Sequence, residues 1–238
     1  MNPDVPVPHL PPHIEHLVFD WNGTLIDDLD LAVRSVNRCS SRFGIAPVTH
    51  ERYRALFGFP IAGFYAALGF DLERVPFATV VQHYLESFDT GVADCALHAG
   101  ALDLLDAARA AGIGVSILSA SHRDVLIATL DAKALRARFA HVIGLTHNQA
   151  TSKAAEALAL QRALGSPPEH TLYVGDTLHG FEVAREVGWH PVLVTTGHQK
   201  ANRLRASGAP VYNGLADLLA HLVPTWACRA DTGGLCHG

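Results

Sequence analysis

The sequence is poor in lysine: Lys133, Lys153 and Lys200 are its three lysines among 238 residues. Arginine therefore supplies most of the positive charge, and the formal net charge is −5. This balance lacks the basic excess that is typical of proteins that bind nucleic acid. We expect no nucleic-acid partner, and the scarcity makes the position of each lysine informative.

The chain also lacks an apolar run long enough to cross a membrane, so we expect no membrane partner. Its first residues, MNPDVPVPHLPPH, contain neither the basic start nor the apolar core of a secretory signal. The cysteines form no CxxC pair, which favours reduced thiols in the cytoplasm over disulfides. Cys228, Cys236 and His237 are candidate metal ligands, but a flexible Gly-rich tail is the favoured interpretation.

Hydrophobic residues make up 49% of the chain, which is enough for the core of one large or two smaller domains. Several short apolar runs do not alternate with polar residues, which is typical of strands buried on both faces of a parallel sheet. They span residues 16–20, 114–120, 141–145, 171–176, 190–196 and 210–213. Helical patterns that end at glycine span 100–112, 151–165 and 180–188. The alternation predicts an α/β fold with a Rossmann-like, doubly wound parallel sheet.

Residues 28–95 interrupt this alternation and contain no convincing strand. They predict four helices instead, at about 29–43, 49–56, 61–69 and 76–90. An insertion at the carboxyl end of a strand lies over the crevice where α/β proteins bind ligands, so we predict an inserted all-α cap domain. The predicted boundaries are a flexible lead at 1–13, the core at 14–27 and 96–223, the cap at 28–95 and a flexible tail at 224–238.

Polar residues stand where the predicted strands end. Asp20 ends the first strand, the second reaches Ser119, and Asp176 ends the fourth. Lys153 lies in the first turn of the helix after the third strand, where a cation opposes the helix dipole and needs an anion nearby. Each carboxylate, and Ser119 or Ser121, has a helix cap as its alternative role. Since parallel strands end at one edge, the set together predicts one pocket.

The segments HLVFDWNGTL, GVSILSAS, TSK and TLYVGDTLHG occur in this order along the chain. The pattern resembles the haloacid dehalogenase-like superfamily, and in particular its phosphoglycolate-phosphatase-like members with a helical cap. Those proteins carry hhhhDxDGT, a strand ending in Ser or Thr, a Lys, and hhhhGDxxxD, where h is hydrophobic. The resemblance covers about residues 14–223, and its specificity lies in the combination.

The resemblance implies a phosphatase that acts on a small phosphorylated metabolite. Asp20 would be the nucleophile and form a transient aspartyl phosphate. Mg²⁺ would be held by Asp20, the carbonyl of Asn22, and Asp176. Lys153 would neutralise charge on the nucleophile and the phosphate. The residues implied for phosphoryl oxygens and the leaving group are Gly23, Thr24, Ser119, Ala120, His122 and Arg123.

Two positions depart from the family pattern. Asn22 stands where an aspartate protonates the leaving oxygen and activates water, and loss of such a group costs about 10²–10⁴ in rate. Gly180 replaces the last acid of GDxxxD. His179 and Glu182 lie nearby, but Glu182 falls on a different side of the turn. Both changes remove negative charge, so we expect weaker Mg²⁺ affinity.

Clues to the substrate come from the predicted cap. The segment FGFPIAGFYAALGF, residues 57–70, suits either a lid loop or a packed helix pair. Arg34, Arg38 and Arg42 form a row on one helix face, which is more often solvated than an anion clamp. A closed cap favours small metabolites over proteins or nucleic acids.

Three hypotheses follow from these residues. The first is a Mg²⁺-dependent phosphatase that is slow or specialised because of Asn22. The second is a catalytically degenerate member that binds a phosphorylated ligand or a partner, and the third is a dehalogenase-like hydrolase. Schiff-base chemistry of the phosphonoacetaldehyde hydrolase kind is excluded, because no lysine precedes Lys133. We expect a cytoplasmic protein, either a monomer or a homodimer.

Overall fold

Six parallel strands form one sheet at the centre of the protein. The computed structural model describes residues 10–11, 13–146 and 152–232. The strands are β1 (His16–Phe19), β2 (Gly114–His122), β3 (His141–Leu145), β4 (Thr171–Gly175), β5 (His190–Val194) and β6 (Val211–Tyr212). Their order is β3-β2-β1-β4-β5-β6, so the chain winds outward from β1 in both directions. This confirms the predicted α/β, doubly wound fold.

Ten α-helices surround or extend this sheet in the described part of the chain. Those of the insertion are α1 (Leu29–Arg42), α2 (His50–Leu56), α3 (Ile61–Leu68) and α4 (Phe77–Phe88). The others are α5 (Ala101–Ala110), α6 (Arg123–Ala132), α7 (Ala154–Leu164), α8 (Leu178–Val187), α9 (Ala201–Arg205) and α10 (Leu215–Thr232). Within the described residues, no helix has the length and apolarity that a membrane span requires.

Both faces of the sheet are buried, which explains why the strand sequences do not alternate. Leu17 and Phe19 of β1 point into the larger hydrophobic core, while Val18 joins a smaller cluster on the opposite face. The smaller cluster also contains Tyr173 of β4 and Val183 of α8. Most positions of the central strands are therefore occupied by apolar residues.

The helical insertion, residues 29–88, is bound to the core through the end of α2. The carbonyl of Phe57 accepts hydrogen bonds from Gln199 Nε2 at 3.0 Å and Arg203 Nη1 at 2.7 Å. The amide of Lys200 donates to the carbonyl of Arg54 at 3.1 Å, and the Arg54 guanidinium donates to the carbonyl of Thr195. These contacts hold the insertion against the loop that follows β5.

Most element boundaries differ slightly from the predicted ones, and the differences at β2 and at the last helix affect candidate residues. Strand β2 continues to His122, beyond the predicted end at residue 120. Helix α10 runs to Thr232, although we placed a flexible tail from residue 224, because Leu218, Leu222 and Trp226 recur at helical spacing and are buried. The predictions for residues 1–9, for Cys236 and for His237 lie outside the described residues, as does the side chain of Cys228.

Gly100, which precedes α5, lies where α5 packs closely on α10, and a substitution at Gly100 tests this packing. Its φ is +82°, and a Cβ there would lie 2.6 Å from the backbone nitrogen of Ala216. Gly44 also has a positive φ, +68°, but a Cβ there would meet nothing within 4 Å. We expect Gly44→Ala to lower the free energy of unfolding by about 1–2 kcal/mol through backbone strain alone. Gly100→Ala should cost about 1–3 kcal/mol more, because backbone atoms must move.

The measurement is equilibrium denaturant unfolding of both variants beside the wild type. Equal losses for the two glycines would contradict the close approach of α5 and α10.

Candidate active site

The strand ends bring a buried ion pair together at the carboxyl edge of the sheet. Lys153 precedes α7, is 1% exposed, and places Nζ 2.6 Å from Asp20 Oδ2. The same nitrogen donates to the carbonyl of Leu118 and to the Tyr173 hydroxyl, both at 3.0 Å. All three ammonium hydrogens are therefore used. The anion that the position of Lys153 required is Asp20, as the sequence predicted.

A second buried carboxylate, Asp176, lies at the end of β4. It accepts hydrogen bonds from Thr24 Oγ1 at 3.2 Å and from the amide of His198 at 2.6 Å. Burial raises the pKa of Asp176 to about 6; His198 opposes this and Asp20 adds to it. A Cβ on Gly23 or Gly197 would lie 2.4 or 2.1 Å from Asp176 Oδ2, so both positions require glycine.

The side chain of Asn22 is bound at both ends. Its Nδ2 donates to Asp28 Oδ2 at 2.8 Å, and its Oδ1 accepts from the Ser121 hydroxyl at 2.5 Å. Asp28 is fully buried and also accepts from the amide of Gly23 at 2.8 Å. Because a carboxylate only accepts hydrogen bonds, the amide nitrogen of Asn22 must be the group that faces Asp28.

Asp28 is paired with His198, which follows β5. His198 Nε2 lies 3.2 Å from Asp28 Oδ1, and its Nδ1 lies 3.1 Å from the Tyr53 hydroxyl of the insertion. Burial alone would lower the pKa of His198, but Asp28 and then Asp176 raise it to about 9. Burial would raise the pKa of Asp28, but His198 and the bonds from Asn22 and Gly23 hold it below its ordinary value. The pair is ionised at neutral pH.

The Tyr173 hydroxyl fills the space next to Gly180. A Cβ on Gly180 would lie 2.3 Å from Tyr173 Oη. That hydroxyl accepts from Lys153 and donates to Asp20 Oδ2, each at 3.0 Å. The Tyr173 hydroxyl therefore occupies the space that a side chain at position 180 would fill. From β4, the strand next to β1, it contacts both members of the Asp20–Lys153 ion pair.

A cavity of about 170 Å³ opens over these residues, with Asp20, Asn22, Lys153 and Asp176 on its core side. The insertion supplies the opposite side with a set of aromatic rings that we call the aromatic wall. Its members are Tyr53, Phe57, Phe59, Phe64, Tyr65, Tyr84 and Phe88. His179 of α8 also lines the cavity and stacks on Phe59 with ring centroids 4.3 Å apart. Burial lowers the pKa of His179 to about 4, so it is neutral.

Comparison with known proteins agrees with this geometry. The profile of the haloacid dehalogenase-like hydrolase family matches residues 17–194, which is more than half of the chain. The chain belongs to this family. It is 28% identical to a phosphoglycolate phosphatase from Synechococcus elongatus over 194 residues, which are 82% of this chain and 90% of that protein. A phosphoglycolate phosphatase from Caulobacter vibrioides is 25% identical over 211 residues, 86% of each.

A solved structure shows the same fold. The haloacid dehalogenase-like family protein from Streptococcus pneumoniae superposes with a TM-score of 0.75 at 19% sequence identity. The match covers 88% of this chain and 98% of the other.

Of the remaining residues that the family resemblance implied, some line the cavity and others do not. Ala120 and His122 line the cavity, while Ser119 is buried and its Oγ accepts from the amide of Ser121 at 3.1 Å. Thr24 is buried and its hydroxyl donates to Asp176, so in this structure it does not face the cavity. Arg123 does not line this cavity: β2 continues to His122, and Arg123 begins α6, is exposed, and lines a separate groove.

The weaker candidates of the helical insertion and α8 are also placed. Arg34, Arg38 and Arg42 are exposed and do not line the cavity, which agrees with a solvated helix face. Arg42 pairs with Glu86 at 3.3 Å. Glu182 is exposed and does not replace the missing acid at position 180. Residues 57–70 contribute both a packed helix, α3, and a loop whose rings face the cavity.

Sequence reasoning missed four residues of this network: Ser121, Asp28, Tyr173 and His198. His198 had a usable signal, because it follows the end of β5 at the same edge of the sheet. Asp28 resembled an ordinary helix start, and it does stand just before α1. Tyr173 lies inside a buried strand, where an apolar residue is the usual expectation, so nothing in the pattern indicated its contact with Lys153.

The His198–Asp28 pair predicts how stability changes with pH. The pKa of His198 is raised from about 6.5 in the unfolded chain to about 9 in the folded protein. The pair therefore contributes fully below pH 6.5 and is lost as the pH rises through 9. We expect His198→Gln to lower the thermal unfolding midpoint more at pH 6.5 than at pH 9.5, measured with a chelator present.

His190→Gln, at an exposed position, controls for loss of a histidine and should leave the midpoint near that of the wild type. A loss for His198→Gln that is the same at both pH values would contradict a charged pair.

Two buried tyrosines of the sheet test the contact made by Tyr173. Tyr173→Phe removes hydrogen bonds to two charged groups, and we expect it to lower the free energy of unfolding by about 1.5–3 kcal/mol. Tyr212→Phe is the matched control, because the Tyr212 hydroxyl has no hydrogen-bond partner among the described residues. Denaturant unfolding should show no loss for Tyr212→Phe, and similar losses in both variants would contradict the bracing role.

Proposed function

We propose that this hydrolase is a phosphatase that acts on a small phosphorylated metabolite through an aspartyl phosphate on Asp20. The observation that carries the proposal is the Asp20–Lys153 pair at 2.6 Å, buried at the floor of a cavity between the core and the helical insertion. A carboxylate next to a fixed ammonium group can attack phosphorus while the charge of the phosphate is neutralised. Curated relatives named phosphoglycolate phosphatase support a small phosphomonoester as the substrate.

The carboxylates fit a divalent cation. Asp176 is buried beside Asp20, its pKa is raised toward neutrality, and neither a lysine nor an arginine among the described residues contacts it. Such a group is stabilised by a cation, and a set of oxygen ligands suits Mg²⁺. We assign the ligands to Asp20, Asp176 and the carbonyl of Asn22. Bound Mg²⁺ would neutralise charge on the phosphate and on the two carboxylates together. A second buried carboxylate without a lysine or arginine partner among the described residues also makes a metal-free dehalogenase the less favoured assignment.

The protein's own side chains carry out the other parts of the proposed reaction. Lys153 orients Asp20 and meets the charge of the phosphate, and Tyr173 limits the movement of both. Ser119 Oγ already accepts a hydrogen bond, so its own hydrogen is the one to donate to a phosphoryl oxygen. The helical insertion acts as a cap that excludes water from the cavity. In the second half of the reaction, water releases phosphate and restores the Asp20 carboxylate.

Asn22 limits the rate of this cycle. A carboxamide held between Asp28 and Ser121 neither supplies a proton to the leaving oxygen nor takes one from water. We therefore expect slow release of the phosphoryl group from Asp20. The same observation favours a second candidate function, a catalytically degenerate member that binds a phosphorylated ligand without turnover.

One experiment separates these candidates. The protein is incubated with acetyl phosphate and Mg²⁺, and released phosphate and acid-stable, hydroxylamine-sensitive phosphoprotein are both measured. A phosphatase shows phosphate release that depends on Mg²⁺ and is lost in Asp20→Asn. Binding of phosphate without phosphoprotein or turnover would establish the binding function instead.

We expect the residue at position 22 to determine the lifetime of the phosphoenzyme. Asn22→Asp should shorten it and raise turnover, by up to about 10²–10⁴ if the new carboxyl acts as acid and base. Asp28 lies 2.8 Å from the Asn22 amide, so the new acid would meet a second carboxylate that raises its pKa. The exchange variant Asn22→Asp with Asp28→Asn removes this repulsion, and single-turnover kinetics of both variants provide the measurement.

Asn202→Asp, on the exposed surface, is the matched control for a new negative charge. Lifetimes that stay the same in both position-22 variants would show that this position does not move the rate-limiting proton.

A further inference from the structure

The cavity over Asp20 differs on its two sides in a way that bears on the leaving group. The core side carries the charged residues of the site, whereas the insertion side is built from the aromatic wall. Within the wall, Phe57 and Phe64 meet edge to face with centroids 5.4 Å apart, and Tyr53 stacks on Phe57 at 5.1 Å. These rings pack on one another, so the apolar surface is fixed in place.

The insertion offers no positive charge to a second anionic group of a substrate. Among its described residues, none of the arginines lines the cavity. The Arg54 guanidinium donates hydrogen bonds to the carbonyls of Thr195 and Gln199 instead. Asp89, directly after α4, also lines the cavity and would repel a carboxylate. A leaving group such as glycolate would therefore lose water around its carboxylate without gaining a cationic partner from the insertion.

The size of the cavity suits one aromatic ring. Its volume is about 170 Å³, and an apolar cavity of about 150 Å³ in another protein holds benzene. Phe57 already meets Phe59 edge to face at 6.1 Å and Phe64 at 5.4 Å, so a planar ring would lie against the surface that these rings form together.

The missing acid at position 22 independently favours an aromatic leaving group. Without a proton from residue 22, the leaving oxygen must depart as an anion. A phenol has a pKa of about 10, whereas that of water is about 15.7, and simple alcohols resemble water. An aryl oxygen therefore leaves without help, and an alkyl oxygen does not.

We propose that the substrate is an aryl phosphate, a phosphomonoester of a phenol, with its ring against the aromatic wall. In the first step the Asp20 carboxylate forms a bond to phosphorus, and the phosphorus–oxygen bond to the ring breaks with its electron pair, releasing a phenolate. In the second step water adds to phosphorus, the acyl phosphate opens, and dihydrogen phosphate and the Asp20 carboxylate result. The phenolate takes its proton from solvent.

This inference rests on the proposed phosphatase function, but its binding part can be tested without turnover. Phenylphosphonate and phosphonoacetate are titrated calorimetrically into the full-length protein with Mg²⁺. Burial of the ring should make phenylphosphonate bind at least about tenfold more tightly. Equal affinities, or tighter binding of phosphonoacetate, would overturn the proposal.

Turnover supplies the second test. With a series of substituted phenyl phosphates, log kcat/KM should fall steeply as the pKa of the leaving phenol rises, and Asn22→Asp should make the slope shallower. A shallow slope in the wild type would show that another group, such as His122, protonates the leaving oxygen, and would overturn the proposal. Loss of all turnover, including that of acetyl phosphate, would refute the phosphatase function but leave the phosphonate comparison standing.

Two phenylalanines of the insertion provide matched variants. Phe57→Leu removes a ring of the aromatic wall, while Phe43→Leu removes a half-buried ring that packs on Phe70 and His83, and none of these three residues lines the cavity. We expect Phe57→Leu to lower the affinity ratio of phenylphosphonate to phosphonoacetate about five- to tenfold, and Phe43→Leu to leave it unchanged. Circular dichroism confirms that each variant is folded, and equal ratios in both would overturn the role of the wall.

Discussion

Asp20 and Asp176 lie buried at one edge of the sheet, and the ammonium group of Lys153 contacts only the first of them. Placing two carboxylates out of water is costly unless each is paired or hydrogen-bonded. Lys153 meets this requirement for Asp20, and the Thr24 hydroxyl and the His198 amide meet part of it for Asp176. Gly23 and Gly197 leave the room that Asp176 needs in this arrangement, because a Cβ at either position would lie within 2.4 Å of its Oδ2.

The two departures from the family pattern are built into the surrounding structure. Asn22 is held by Asp28 and Ser121, and Asp28 is in turn paired with a charged His198. The space beside Gly180 is filled by the hydroxyl of Tyr173. Each change therefore comes with neighbours that satisfy its polar groups and its volume.

The helical insertion contributes to the site in two ways that share one segment. The end of α2 is anchored to the loop after β5 through the carbonyl of Phe57, and the ring of Phe57 belongs to the aromatic wall. Tyr53 reaches His198 from the same helix. The position of the apolar surface is thus tied to the polar network beneath it, next to Asp20 and Asp176.

The sequence by itself determined the strands, the helical insertion, and the meeting of Asp20, Asn22, Lys153 and Asp176, because parallel strands end at one edge whatever the details of packing. Only the tertiary structure decided the contacts between Asp28 and His198 and between Tyr173 and Lys153. These pairs join elements far apart in the chain or a side chain inside a buried strand, where local patterns carry no information about partners. The aromatic wall is of the same kind: an aromatic residue in a helix suits a packed core as well as a cavity, and only the docking of the insertion distinguishes the two.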